Sequence, residues 1–131
     1  MRLVFYKGYR IMAGARDIED LKIWQEGRDL VKVIYDLSEG GKFARDFALR
    51  DQMRKTSISV MANIAEGFGW KSDREFYRFL DIARGSIAEV RSHLHAALVV
   101  GYISQIQFKA TEGQYRLLGV RVSAMMRYLA G

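Results

Sequence analysis

Residues 72–98 read SDREFYRFLDIARGSIAEVRSHLHAAL, and this stretch decides the fold. Phe76, Leu80, Ala83, Ile87, Val90, Leu94 and Ala97 follow one another at alternating steps of four and three. That spacing puts all seven on one stripe of a single long helix, as in a heptad seam. Ser72-Asp73-Arg74-Glu75 ahead of it has the S-x-x-E form of a capping box, and Gly101 supplies a stop.

Working outward, the same periodicity appears on both sides. Beyond Gly101, Ser104-Gln105-Ile106-Gln107 offers a second capping box. Phe108, Thr111, Tyr115, Leu118, Val122, Met125 and Leu129 then repeat the heptad. Before Ser72, a helix is predicted over residues 43–67, with Gly67-Phe68-Gly69-Trp70-Lys71 as its break. It is apolar on two sides: Leu49, Met53, Val60 and Ile64 form one stripe, and Ile58, Met61, Ala65 and Phe68 form another. A first helix is predicted over residues 18–38 from Ile23, Gly27, Leu30, Ile34 and Leu37, ended by Ser38-Glu39-Gly40-Gly41. Four helices with short connections predict an all-α fold, an antiparallel up-down-up-down four-helix bundle over residues 17–131. The second stripe of helix two, with Leu117, Ala124 and Tyr128 off the main stripe of helix four, is surplus to a monomer's core and predicts self-association.

Composition bounds the rest. A chain of 131 residues with 50% hydrophobic and 27% charged residues suits one globular domain. Proline and cysteine are both absent, so nothing interrupts long helices and no thiolate serves as nucleophile or metal ligand. The lack of cysteine fits a reducing cytoplasm. No apolar run reaches the roughly 18 residues of a membrane span. The net charge of +6 is unevenly placed: Arg2, Lys7, Arg10 and Arg16 sit in residues 1–16 with no acid, leaving the body only mildly basic. Residues 1–16 lack a helical period and read as a basic tail. Met12, followed by AGARDIEDL, offers an alternative start that would make residues 1–11 an over-extension.

Catalytic chemistry finds little support. His93 and His95 lie two positions apart and point to nearly opposite sides of a helix, so they cannot share a metal, and neither metal nor cofactor is expected. Gly69-Trp70-Lys71-Ser72 fails the phosphate-loop spacing and follows a helix instead of a strand. Ser57, Ser59 and Ser86 stand in no nucleophile arrangement. The polar residues Gln52, Asn63, Glu66, Ser86 and Glu89 interrupt apolar helices, and the favoured reading is a hydrogen-bond network fixing helix register. A sharper reading places a ligand contact at the bundle end near Gly67–Trp70.

Basic side chains carry the remaining signal: Arg50, Arg54 and Lys55 on helix two, Lys71 in the loop, and Arg74, Arg78, Arg84 and Arg91 on helix three. Such residues ordinarily solubilise a helix face. Repeated around a ring of copies they would form a phosphate-binding surface, with Phe68 and Trp70 available to stack a base.

Several of these segments together resemble a known family. Ser57-Ile58, Asn63-Ile64-Ala65-Glu66-Gly67, Glu75-Phe76-Tyr77-Arg78-Phe79-Leu80 and Ala83-Arg84-Gly85-Ser86 with Glu89 resemble the proteins encoded in intervening sequences of bacterial 23S ribosomal RNA. Leu21-Lys22-Ile23-Trp24-Gln25 and Ile34-Tyr35 extend the resemblance over residues 18–129. The first inter-helix loop departs from it: Gly40-Gly41-Lys42-Phe43-Ala44-Arg45-Asp46 stands where relatives carry a phenylalanine-proline pair and a glutamate. The resemblance implies an antiparallel four-helix bundle assembled as a homopentamer. It also implies similarity to the accessory protein of diversity-generating retroelements, a basic barrel that binds nucleic acid and a reverse transcriptase. It supplies no catalytic residue, and gives Asn63, Glu66, Gly67, Gly85, Ser86 and Glu89 structural roles. The expected function is a non-enzymatic oligomeric scaffold that binds RNA or DNA through phosphates. The alternative is an adaptor that holds a partner protein.

Overall fold

Residues 17–131 are described by the structure, a computed structural model; the basic tail and the alternative start at Met12 lie outside the described residues. A 3-10 turn at Ile18–Asp20 leads into α1 (Lys22–Leu37), α2 (Gly41–Arg45), α3 (Phe47–Gly69), α4 (Asp73–Val99) and α5 (Gln105–Ala130). Among the described residues the fold is all-α, with five helices where the periodicity predicts four.

The fifth helix arises at Asp46. Its backbone (φ −85°, ψ 80°) leaves the helical region, so predicted helix two divides into α2 and α3. Its carboxylate then accepts from the Leu49 N–H at 3.1 Å, satisfying a donor at the start of α3. The other oxygen accepts from the Tyr102 hydroxyl at 2.9 Å, and the Tyr102 ring stacks on Phe43 of α2. Asp46 therefore pins the α2–α3 elbow to the loop between α4 and α5. The predicted first helix is likewise shorter, because Leu21 is extended and separates the 3-10 turn from α1.

Capping signals are met in part. Ser104 and Gln107 form the reciprocal box. Ser72 accepts from the Glu75 N–H, but the Glu75 carboxylate takes hydrogen bonds from Arg78. Gly67-Phe68-Gly69 does not break α3, which continues to Gly69; the chain turns at Lys71, whose φ is +56°. Gly67 instead permits a close approach: a Cβ there would lie 2.8 Å from the Phe79 Cβ and 3.0 Å from Phe76 Cδ1. The glycine pair after α1 also acts differently. Gly41, at φ +62°, opens α2, and α1 closes through the buried Ser38, whose hydroxyl donates to the Ile34 carbonyl.

Helix α3 packs between α1 and α4, and α5 packs against α4 and α1. Along α3–α4, Thr56 meets Glu89, Ser59 meets Ser86 and Gly67 meets Phe76, so numbering rises along one helix as it falls along the other. The same reversal holds along α4–α5, where Arg91 meets Glu112, Ile87 meets Gly119 and Arg84 meets Ser123. Every residue of the α4 heptad is buried, together with Phe108, Tyr115, Leu118, Val122, Met125 and Leu129 of α5.

The position of α3 between two neighbours explains its two apolar stripes. Met53, Val60 and Ile64 enter the core, Phe68 is buried, and Met61 packs beside Gly27 of α1. Most of the second stripe is thus consumed inside the chain, contrary to the sequence reading; Ile58 alone of it stays exposed. Exposed apolar residues occur on several elements, Phe47 and Val99 among them, and on α5 they form a stripe. Ile106, Ala110, Gly113, Leu117 and Val120, at steps of four and three, are exposed along its outer face.

A candidate nucleic-acid interface

Facing residues of α4 and α5 leave a groove of about 330 Å³ between them. Arg84, Ile87, Ala88 and Arg91 line it from α4. Arg116, Gly119, Val120, Ser123 and Arg127 line it from α5. The α5 set falls at steps of four, three and four from Arg116 through Val120 and Ser123 to Arg127, which is one helix face. Among the described residues four arginines and no acid therefore line one concavity, together with Ile87, Ala88, Gly119 and Val120.

Two of those arginines share a buried partner. Glu112, only 5% exposed, accepts from Arg91 Nε at 2.8 Å and from Arg116 Nη2 at 3.0 Å. Burial pushes the Glu112 carboxyl up, but hydrogen bonds and positive charge from Arg91 and Arg116 outweigh it and hold it below the usual glutamate value. The carboxylate lies outside the groove lining, so it fixes the arginines from behind. The bonds use Nε of one arginine and one terminal nitrogen of the other, and a guanidinium carries five N–H donors. Lower in the groove, Arg84 pairs with Asp81 at 2.7 Å and reaches Ser123 Oγ at 3.5 Å. Arg127 has no ion-pair partner among the described residues.

The other predicted contacts scatter. Arg54 is structural: it donates to Ser38 Oγ at 2.9 Å and to the Ser38 carbonyl, and stacks 4.4 Å over Tyr35, tying α3 to the end of α1. Arg50 pairs with Asp51 and donates to the Ala44 carbonyl. Arg78 pairs with Glu75 over the Phe79 ring. Lys55, Lys71 and Arg74 are exposed. Of the eight basic residues predicted from sequence, the groove gathers Arg84 and Arg91; it adds Arg116 and Arg127, which the sequence reading missed. Their signal in the sequence is the shared α5 face, on which Arg116, Val120, Ser123 and Arg127 recur at steps of four, three and four. Phe68 is buried edge-on to Phe76 and unable to stack a base, whereas Trp70 is exposed.

Of the five polar residues expected to fix helix register, Ser86 and Glu89 bond across to α3, Asn63 bonds within α3, and Gln52 and Glu66 are exposed. Ser59 and Ser86 hydroxyls lie 3.0 Å apart, Asn63 Nδ2 donates to the Ser59 carbonyl and hydroxyl, and Thr56 donates to Glu89. Gly67 belongs to the helix contact above. Glu66 and Gly85 are exposed, and a Cβ on Gly85 would meet nothing within 4 Å. His93 lies 3.8 Å from Glu89 through Nε2, while His95 packs against Phe108. Among the described residues no three His, Asp or Glu side chains gather as a metal site. No described helix is long and apolar enough to cross a membrane.

The sequence model of the family described as 23S rRNA-intervening sequence protein matches residues 19–124, which reach from the 3-10 turn into α5. A search of curated proteins found no match.

Proposed function

The chain belongs to the 23S rRNA-intervening sequence protein family, and from that premise we propose that it is a non-enzymatic scaffold binding structured RNA or DNA through phosphates. The observation that carries this reading is the α4–α5 groove, where Arg84, Arg91, Arg116 and Arg127 converge with no acid among the described lining residues. Guanidinium groups match phosphate oxygens in geometry, and each phosphate neutralised releases a condensed counterion. The bundle is up-down-up-down, and copies assemble into a ring, with five as the number the resemblance implies. Repetition of one groove around that ring turns a modest local charge into an extended basic surface. The setting is cytoplasmic.

The test is binding of the purified protein to a fluorescent RNA hairpin and to duplex DNA across roughly 50 to 200 mM salt. Affinity should fall steeply as salt rises. Replacing Arg84, Arg116 and Arg127 together by Ala should lower the log–log salt slope by about three. Unchanged binding by that variant would overturn the assignment to this groove.

A second reading, a protein-binding adaptor, is favoured by the exposed apolar residues Ile106 and Leu117 on the outer face of α5, away from the groove. Co-purification of one protein partner, unaffected by nuclease, together with absence of nucleic-acid binding at low salt, would put it first.

A further inference from the structure

The floor of the α4–α5 groove asks for more than a phosphate. A site for duplex backbone alone needs only exposed cations, because phosphates are reached from outside the helix. Here the arginines share a concavity with buried Ile87, half-buried Gly119 and the exposed rim residues Ala88 and Val120, with a volume at the lower end of small-molecule sites. Gly119 keeps that floor open: a Cβ at this position would meet Ile87 Cγ2 at 3.6 Å, so the first carbon fits and a longer side chain would stand in the groove. Above the floor, Arg91 and Arg116 are held together by the one buried carboxylate of Glu112. Ser123 adds a hydroxyl beside Arg84. Fixed cations over an apolar slot match the two halves of a nucleotide, a charged phosphate and a flat heterocycle with apolar faces.

We infer that the α4–α5 groove takes a single nucleotide unit of an unpaired strand, with the phosphate at Arg91 and Arg116 and the base on the Ile87–Gly119 floor. This rests on the nucleic-acid reading above and narrows it from phosphate contacts in general to an unpaired or looped-out nucleotide. A base buried in a duplex stack is not available to such a slot without unstacking.

Fluorescence anisotropy with a labelled single-stranded oligonucleotide and a duplex of equal length, at one salt concentration, reads the difference. The single strand should bind about tenfold tighter, equivalent to ~1.4 kcal/mol. Unlabelled AMP should compete at concentrations where inorganic phosphate does not. Gly119→Leu, checked for folding by its helical circular dichroism and melting, should remove the single-strand advantage. Arg127→Glu, at an exposed position that leaves the core untouched, provides a second variant and should weaken both ligands. Equal affinity for single strand and duplex, or an unaltered preference in Gly119→Leu, overturns the inference while the phosphate reading stands. Competition by phosphate and AMP alike marks the groove as an anion site without a base slot, and overturns it too. Failure to bind either nucleic acid at low salt overturns this inference together with the reading on which it rests.

Discussion

Glu112 shows how one residue sets the electrostatics of a whole face. A lone carboxylate taken out of water at this depth would favour its protonated form, yet two guanidinium groups reverse that preference. A folded-state value below the ordinary 4.5 means the ionised form stabilises the fold at neutral pH. That contribution is lost as pH falls from 4.5 through the lower folded value. Glu112→Gln should therefore melt below the parent protein at pH 7, by an amount corresponding to about 1–2 kcal/mol. The gap should narrow as pH falls towards 3, which thermal denaturation at stepped pH values measures. Tyr115 stands in contrast: its hydroxyl is buried with no hydrogen-bond partner among the described residues, and burial alone raises its ionisation far above the usual tyrosine value. It contributes volume to the core and takes no part in proton chemistry near neutrality.

Among the elements, α3 and α4 each contain glycine in mid-helix or near a helix end, and the two positions do opposite things. Gly67 has no room for a methyl group, because Phe76 and Phe79 of α4 already occupy the space. Gly67→Ala should cost about 1–3 kcal/mol through overpacking. Gly85 faces open space within the chain, so Gly85→Ala should gain up to about 1 kcal/mol of helix propensity. Chemical denaturation of both variants checks the opposed signs. The long helices were legible in the sequence because a heptad needs no knowledge of the partner; α4 and α5 follow the predicted stripes residue by residue. The elbow at Asp46 was not legible. The residues around it keep their apolar period, and the break is fixed by hydrogen bonds to Leu49 nearby and to Tyr102, 56 positions away.

For the whole molecule, the exposed stripe on α5 is a feature that a single copy leaves unexplained. Ile106 is 82% exposed, Leu117 48% and Val120 57%, and Gly113 between them has no close neighbour. Apolar residues at heptad spacing on an outer face suit a second helix. Leu117→Glu should leave the helical content unchanged and reduce the molar mass measured by light scattering from an assembly towards the monomer. An unchanged mass would place any assembly contact on another face.

Sequence alone determined the helical class, the burial stripes of α4 and α5, the cap at Ser104 and the family, because each of these is set by residues within a few turns of one another. It also placed Asn63, Ser86 and Glu89 as polar residues needing partners, since charge and hydrogen-bonding groups on an apolar period must be satisfied somewhere. Only the tertiary structure decided which cations share a surface. Arg84 and Arg91 were visible on one helix, but Arg116 and Arg127 join them through the pairing of α4 with α5, at separations of 25 to 43 positions. It also decided that Arg54 ties α3 to the end of α1, and that in the second stripe of α3 Met61 meets α1 while Phe68 meets Phe76 of α4. The physical reason is the same in each case: periodicity fixes which side of a helix a residue occupies, and packing fixes what that side faces.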